Sequence, residues 1–255
     1  RSVFMKNFIK LISVFVLFVF VISPVTASSQ ADSAWSQVPE ILKRIKRPVF
    51  PDREFAITEF GAAPDGTDCT EAIKKAIEAC SAAGGGRVTV PAGEWFTGRI
   101  YLDSNVNLHL AEGAELKFST DPKDYPEVFC RWEGTEVYNY SALLFAFEEE
   151  NIAVTGKGTL NGQAGKKNWW SWKKRHDRDR KQIRKWGQEG VDLDKRRFPE
   201  GSYLRPNFFQ PYRCKNLLIE DVTFRDAPMW FVNPVLCENV IITGIKTVGH
   251  GPNND

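Results

Sequence analysis

CKNLLIEDVTFRDAPMWFVNPVLCENVIITGIKT, residues 214–247, contains one short phrase twice. Cys214-Lys215-Asn216 leads into an apolar run, a turn and a second small strand, and 23 residues later Cys237-Glu238-Asn239 begins the same phrase again. Earlier copies start at Asn105 (NVNLHLAEGAELKF) and Asn151 (NIAVTGKGTLNG), so the four asparagines are spaced by 46, 65 and 23 residues. A period of this size, carried by short strands without long helices, marks a solenoid. About two dozen residues per unit is one coil of a parallel β-helix, whose strands stack ~4.8 Å apart. The expected fold class is therefore all-β, a right-handed parallel β-helix. On this arithmetic 46 is two coils of 23, and 65 is one coil carrying an insertion of 42 residues.

Upstream, FAITEFGAAPDGTDCTEAIKKAIEACSAAGGGRVTVPAGEWFTGRIYL parses as strand, turn, helix, glycine turn and strands. Asp68 and Glu71 make a start like a capping box, and Ala72, Ile73, Ala76, Ile77 and Cys80 fall on one face of a helix over residues 70–81. RVTV (residues 87–90) and FTGRIYL (residues 96–102) read as two strands with a Pro91-Ala92-Gly93 turn between them. A solenoid's open end exposes strand edges, and this helix is the expected cap. No second cap precedes Asp255, where the chain stops in a turn, so the β-helix of residues 54–255 is expected to be incomplete.

The N-terminus carries a different message. Met5 is followed by Lys6 and Lys10, an apolar run over residues 11–22, and Val25-Thr26-Ala27, the layout of a secretory signal with cleavage after Ala27. A run of that length is short of the ~20 residues needed to cross a bilayer. Arg1 to Phe4 read as non-native, residues 1–27 as upstream residues plus signal, and residues 28–53 as a lead-in. The expected localisation is export, periplasmic or extracellular, with no stable membrane insertion once the signal is cleaved.

Composition fits one globular domain, with 42% hydrophobic and 26% charged residues. Five scattered cysteines form neither a disulfide scaffold nor a CxxC or Cys/His metal site, and no metal or cofactor is expected. Cys214 and Cys237, one period apart, should stack on adjacent rungs as two buried thiols. The net charge is only +2, yet between Lys166 and Arg197 thirteen Lys or Arg oppose five Asp or Glu. This basic stretch, with Trp169, Trp170, Trp172 and Trp186, coincides with the expected insertion at about residues 163–204. It suits a polyanion, and export excludes nucleic acid as that partner.

EFGAAPDGTDCTEAIKKAIEAC and GGGRVTVPAGEWFTGRIYL closely resemble the N-terminus of glycoside hydrolase family 28, the polygalacturonases and related pectin hydrolases. The run from RPNFFQPYRCKNLL to VGHGPNND resembles the approach to that family's Asn-x-Asp motif, here Asn253-Asn254-Asp255. The resemblance implies a monomeric enzyme that hydrolyses galacturonate linkages in polygalacturonate, or in a rhamnogalacturonan-type relative, with inversion. Three aspartates do this work in the family, together with a later histidine and an Arg-Ile-Lys segment. Asp255 is the one catalytic aspartate carried over; the adjacent pair would follow about one coil later. An inverting glycosidase needs an acid and a base roughly 6.5 to 9.5 Å apart, so a chain ending at Asp255 is expected to be inactive. By resemblance Asp255 lies on the base side, and Asn253 contacts substrate.

Other residues keep two readings. His250 precedes the motif, so it is not the family's catalytic histidine; it lines the cleft as a substrate contact or is a turn residue. One period below the motif lie Trp230 and Asn233. Trp230 stacks on a sugar or belongs to the core. Asn233 stands where many relatives carry His, which leaves subsite preference open. The insertion is either a wall whose indoles stack on sugars while Arg pairs with uronates, or a solvated lobe whose tryptophans pack on the coil beneath. Two other functions remain. A polysaccharide lyase needs a carboxylate cluster for calcium, whereas Asp221, Asp226 and Glu238 are scattered. A non-catalytic carbohydrate-binding solenoid needs neither.

Overall fold

The computed structural model describes residues 34–198 and 200–252, so the expected signal segment lies outside the described residues. The chain divides after Arg44 into two compact units. The first contains α1 (Val38–Arg44), none of whose residues is buried. Among the described residues no helix is long and apolar enough to cross a membrane.

The second unit is a right-handed parallel β-helix. β1 (Glu54–Ala56) and a helix, α2 (Thr70–Ala82), precede the first full coil: β2 (Gly86–Val90), β3 (Gly93–Thr97) and β4 (Ile100–Tyr101). The expected strand over residues 96–102 thus breaks at Gly98, where the chain turns from one face to the next. The second coil holds β5 (Val106–Leu110) and β6 (Ala114–Phe118), an antiparallel hairpin of β7 (Glu127–Trp132) and β8 (Thr135–Tyr140), and then β9 (Leu144–Phe147). The third has β10 (Glu150–Gly156), β11 (Thr159–Asn161), a long insertion containing α3 (Asp177–Glu189), and β12 (Phe209–Tyr212). Two further coils supply β13 (Lys215–Glu220), β14 (Thr223–Arg225), β15 (Glu238–Thr243) and β16 (Lys246–Val248). Stacking produces three parallel sheets, ordered β1-β2-β5-β10-β13-β15, β16-β14-β11-β6-β3 and β12-β9-β4.

Side chains in register fill the interior. Val88, Leu108, Val154 and Ile219 form one column, and Trp95, Leu116, Leu160 and Phe224 another, all of them buried. The recurring asparagines have their own column. Asn151 donates to Asn105 Oδ1 at 3.1 Å, Asn216 to Asn151 at 3.0 Å, and Asn239 to Asn216 at 2.8 Å. All four have positive φ, between 55° and 66°. Asparagine tolerates this conformation, and its amide both donates and accepts along the stack.

The cap has the face read from the sequence: Ala72, Ile73, Ala76, Ile77 and Cys80 are buried, and α2 packs over β1, β2, β4 and β5. Cys69 rather than Asp68 is the N-cap, and its side chain makes no capping bond. Asp68 Oδ1 instead accepts from Thr70 N at 2.9 Å, one residue outside the expected box. Beyond the cap, residues 46–53 run back along the first sheet, from Lys46 O, which accepts from Asn239, to Arg53 O, which accepts from Arg87 N.

The reading of 46 residues as two coils is corrected. Leu108 pairs directly with Val154, so Asn105 and Asn151 lie on neighbouring rungs, and the surplus forms the β7–β8 hairpin. The 65-residue spacing is one coil with an insertion, since Val154 pairs with Ile219. All five cysteines are free thiols, with Cys214 buried and Cys237 partly buried.

Candidate active site

Each coil passes from the second sheet to the third through one connection. The two additions both lie there, the hairpin between β6 and β9 and the insertion between β11 and β12. Residues 249–252, which follow β16, leave the second sheet on the same edge. The topology therefore collects the hairpin, the insertion and the approach to the Asn-x-Asp motif on one side of the solenoid.

The hairpin covers the outer face of the third sheet. Phe129 packs edge-on against Phe147, with centroids 5.6 Å apart, and lies 5.3 Å from the Tyr212 ring. Gln210 of β12 donates to Arg131 O at 2.8 Å. The insertion then joins the hairpin. Arg180 pairs with Glu133 at 2.7 Å, Arg197 pairs with Glu127 at 2.6 Å, and Arg197 lies 3.9 Å above the Tyr138 ring. A second apolar core beneath them contains Cys130, Trp132, Val137, Ile183, Phe198, Leu204 and Met229.

The insertion's tryptophans are committed to packing. Trp169 is 1% exposed within the main core, edge-on to Tyr125 and Trp172. Trp170 and Trp172 pack on the main core and Trp186 on the second. This is the lobe reading, although Lys173, Lys174, Arg184 and Lys185 remain exposed on its surface. Trp170 has a further neighbour: its Nε1 donates to Ala227 O at 2.9 Å, and a Cβ on Gly251 would overlap its indole. The insertion thus touches the turn that leads into the motif.

Asn253 and Asp255 lie outside the described residues. His250 is exposed, with Nδ1 3.4 Å from Asp226 Oδ1. Trp230 and Asn233 line one pocket of about 270 Å³ with Arg131 and Gly134 of the hairpin and Pro234, Val235 and Leu236. Trp230 also packs partly against the second core, so it serves both as lining and as filling. Among the described residues no group of three or more His, Cys, Asp or Glu is placed to hold a metal.

Two arginines near this edge were not read from the sequence. Arg131 had no signal, because only the unforeseen hairpin brings it to the pocket. Arg205 had one: it is a charge within the apolar run LRPNFF. It is fully buried, and its Nη1 donates to Pro228 O at 2.7 Å and to Pro252 O at 2.8 Å. Burial pulls its guanidinium down to about 10, against the opposing charge of Glu133, so it remains protonated at neutral pH. Beside it His176 stands edge-on to Trp132 at 6.0 Å, with its basicity lowered by burial and then by the charge of Arg205.

No family model matches the chain. Among solved structures it is similar to a hyperthermoactive exopolygalacturonase from Thermotoga maritima, with 44% identity and a TM-score of 0.84 over 87% of this chain and 52% of that one. In sequence and fold the chain is similar to the polygalacturonases of glycoside hydrolase family 28. Curated polygalacturonases agree. A probable polygalacturonase of Vitis vinifera is 28% identical over 78% of the chain and 38% of its own length. The exo-poly-alpha-D-galacturonosidase of Dickeya chrysanthemi is 37% identical over 44% of the chain and 20% of its own length. The chain thus spans about half the length of the Thermotoga polygalacturonase and less of these curated relatives.

Proposed function

We propose that the intact protein is an exported, monomeric exo-polygalacturonase that hydrolyses galacturonate linkages at the ends of pectin chains with inversion. The observation that carries this reading is the similarity to the Thermotoga exopolygalacturonase over 87% of the chain. The Dickeya relative, named as an exo-enzyme acting on poly-alpha-D-galacturonate, supports both the substrate and the chain-end mode. The lobe and hairpin beside the motif supply the bulk on that edge that would restrict access to a chain end. Export rests on the signal-like residues 5–27.

In this mechanism Asp255 positions the attacking water on the base side, and the acid comes from an aspartate pair about one coil later, as the family resemblance implies. The two must be far enough apart to admit that water, which is what inversion requires. Asn253 and His250 contact the sugar beside the cleavage point. Asn233 and Trp230 hold the next unit in the pocket they share with Arg131, whose charge suits a uronate carboxylate. The basic surface of the insertion draws in the polyanion.

The test is to express the complete coding sequence and assay it on polygalacturonic acid for reducing ends and ultraviolet absorbance together. New reducing ends without absorbance, released as the shortest products from the start, support exo-hydrolysis. A ladder of intermediate oligomers would move the enzyme to internal cleavage. Absorbance from unsaturated ends would make it a lyase, and silence in both channels would leave a carbohydrate-binding solenoid.

A further inference from the structure

A fully buried cation is costly to take from water and is usually repaid by a paired carboxylate. Arg205 is 0% exposed, yet among the described residues its hydrogen bonds go to carbonyls rather than to an acid. The acid whose charge it feels, Glu133, gives its Oε2 to Arg180 at 2.7 Å. Arg205 Nε and Nη2 are buried without a hydrogen-bond partner among the described residues. The two carbonyls it does hold belong to successive coils. Pro228 lies in the connection after β14, and Pro252 in the connection after β16, directly before Asn253. One nitrogen with two protons therefore ties the turn of one coil to the turn of the next. The arginine is itself fixed, since its own carbonyl accepts from Trp132 Nε1 at 3.0 Å. An apolar side chain would leave both carbonyls unpaired, so the arginine fixes where these two turns lie relative to each other.

We propose that Arg205 is a positioning residue for the reaction at Asn253–Asp255, acting through the Pro252 carbonyl. The inference rests on the polygalacturonase reading and adds to it a residue that touches neither the sugar nor the attacking water. A carboxylate in a displaced turn loses its alignment with that water, and a misplacement of about 1 Å costs on the order of 100-fold in rate. Lysine also carries its protons on one nitrogen, but at the end of a more flexible stem, so it restores the bridge between the two carbonyls only in part.

The experiment compares wild type, Arg205→Met and Arg205→Lys in the protein from the complete coding sequence. It measures kcat and KM on short oligogalacturonates and hydrogen exchange of the peptide covering residues 249–255. For Arg205→Met, kcat is expected to fall about 100-fold with KM changed less than about two-fold, with faster exchange in that peptide and wild-type exchange in β13 and β14. Arg205→Lys should recover part of both losses. Wild-type kcat or wild-type exchange at 249–255 in the Met variant overturns the proposal. Should the Met variant fail to fold, the Lys variant decides: a reduced kcat with faster local exchange supports the clamp, and wild-type values reject it. If wild type itself releases no reducing ends, the polygalacturonase reading fails separately, and the exchange measurement alone judges the clamp.

Discussion

At Gly251 the side chain is dictated by a neighbour more than 80 residues away in sequence, because a Cβ there would overlap Trp170, whose Nε1 is already bonded to Ala227 O. Gly251→Ala should therefore cost about 1–3 kcal/mol if the indole yields, or displace the turn and lower kcat if it does not; thermal melting and kinetics on one sample separate the two. Asp255→Asn, by contrast, should leave melting unchanged and reduce kcat by about 10²- to 10⁴-fold, the range for a lost acid or base. His176 gives a pH signature. Burial, then Arg205, holds its imidazole below the ordinary 6.5. As pH falls through 6.5 the unfolded chain takes up a proton that the folded chain still refuses. The stabilisation is complete above 6.5, declines below it, and is lost once pH passes the folded value. Half-buried His109 is shifted the same way, again by burial first. Urea midpoints at pH 7 and pH 5 should therefore differ less in His176→Gln than in wild type. An equal difference in both proteins would remove His176 from this account.

Among the elements, the asparagine column carries both the register of the solenoid and the signal by which it was legible. Asn216 bonds to Asn151 on one side and Asn239 on the other at φ 55°. Asn216→Gly removes the bonds but keeps the backbone comfortable, and should cost about 1 kcal/mol. Asn216→Ala adds the left-handed penalty of roughly 1–2 kcal/mol. Denaturant unfolding that ranks Ala as more stable than Gly would contradict this assignment. The cap helix was equally legible, since five buried residues at helical spacing leave one face to choose. The hairpin was not. One coil plus 23 residues and two coils of 23 give the same count. Its local signal, alternating strands around Glu133-Gly134, both at positive φ as a two-residue hairpin turn requires, falls inside the expected period. The insertion's place between β11 and β12 was legible from its charge, but the packing of Trp172 beside Tyr140 and of Trp186 on the second core depended on that same unseen hairpin.

Across the molecule as a whole, the described residues hold five coils, a cap and two additions on one edge, and the approach to the Asn-x-Asp motif leaves from that same edge. The candidate site was only partly legible: Trp230 and Asn233 followed from the period, while Arg131 reached the pocket through the hairpin. The proposed chemistry rests on one residue read through resemblance, Asp255, which lies outside the described residues. The central claim is inverting hydrolysis, and its stereochemistry tests it most directly. Time-resolved proton NMR of the intact protein acting on α-linked oligogalacturonate should show the β-anomer of the new reducing end first, followed by mutarotation. The α-anomer appearing first would mean retention and a nucleophile in place of a water-activating base, and an unsaturated product would mean elimination; either contradicts the account.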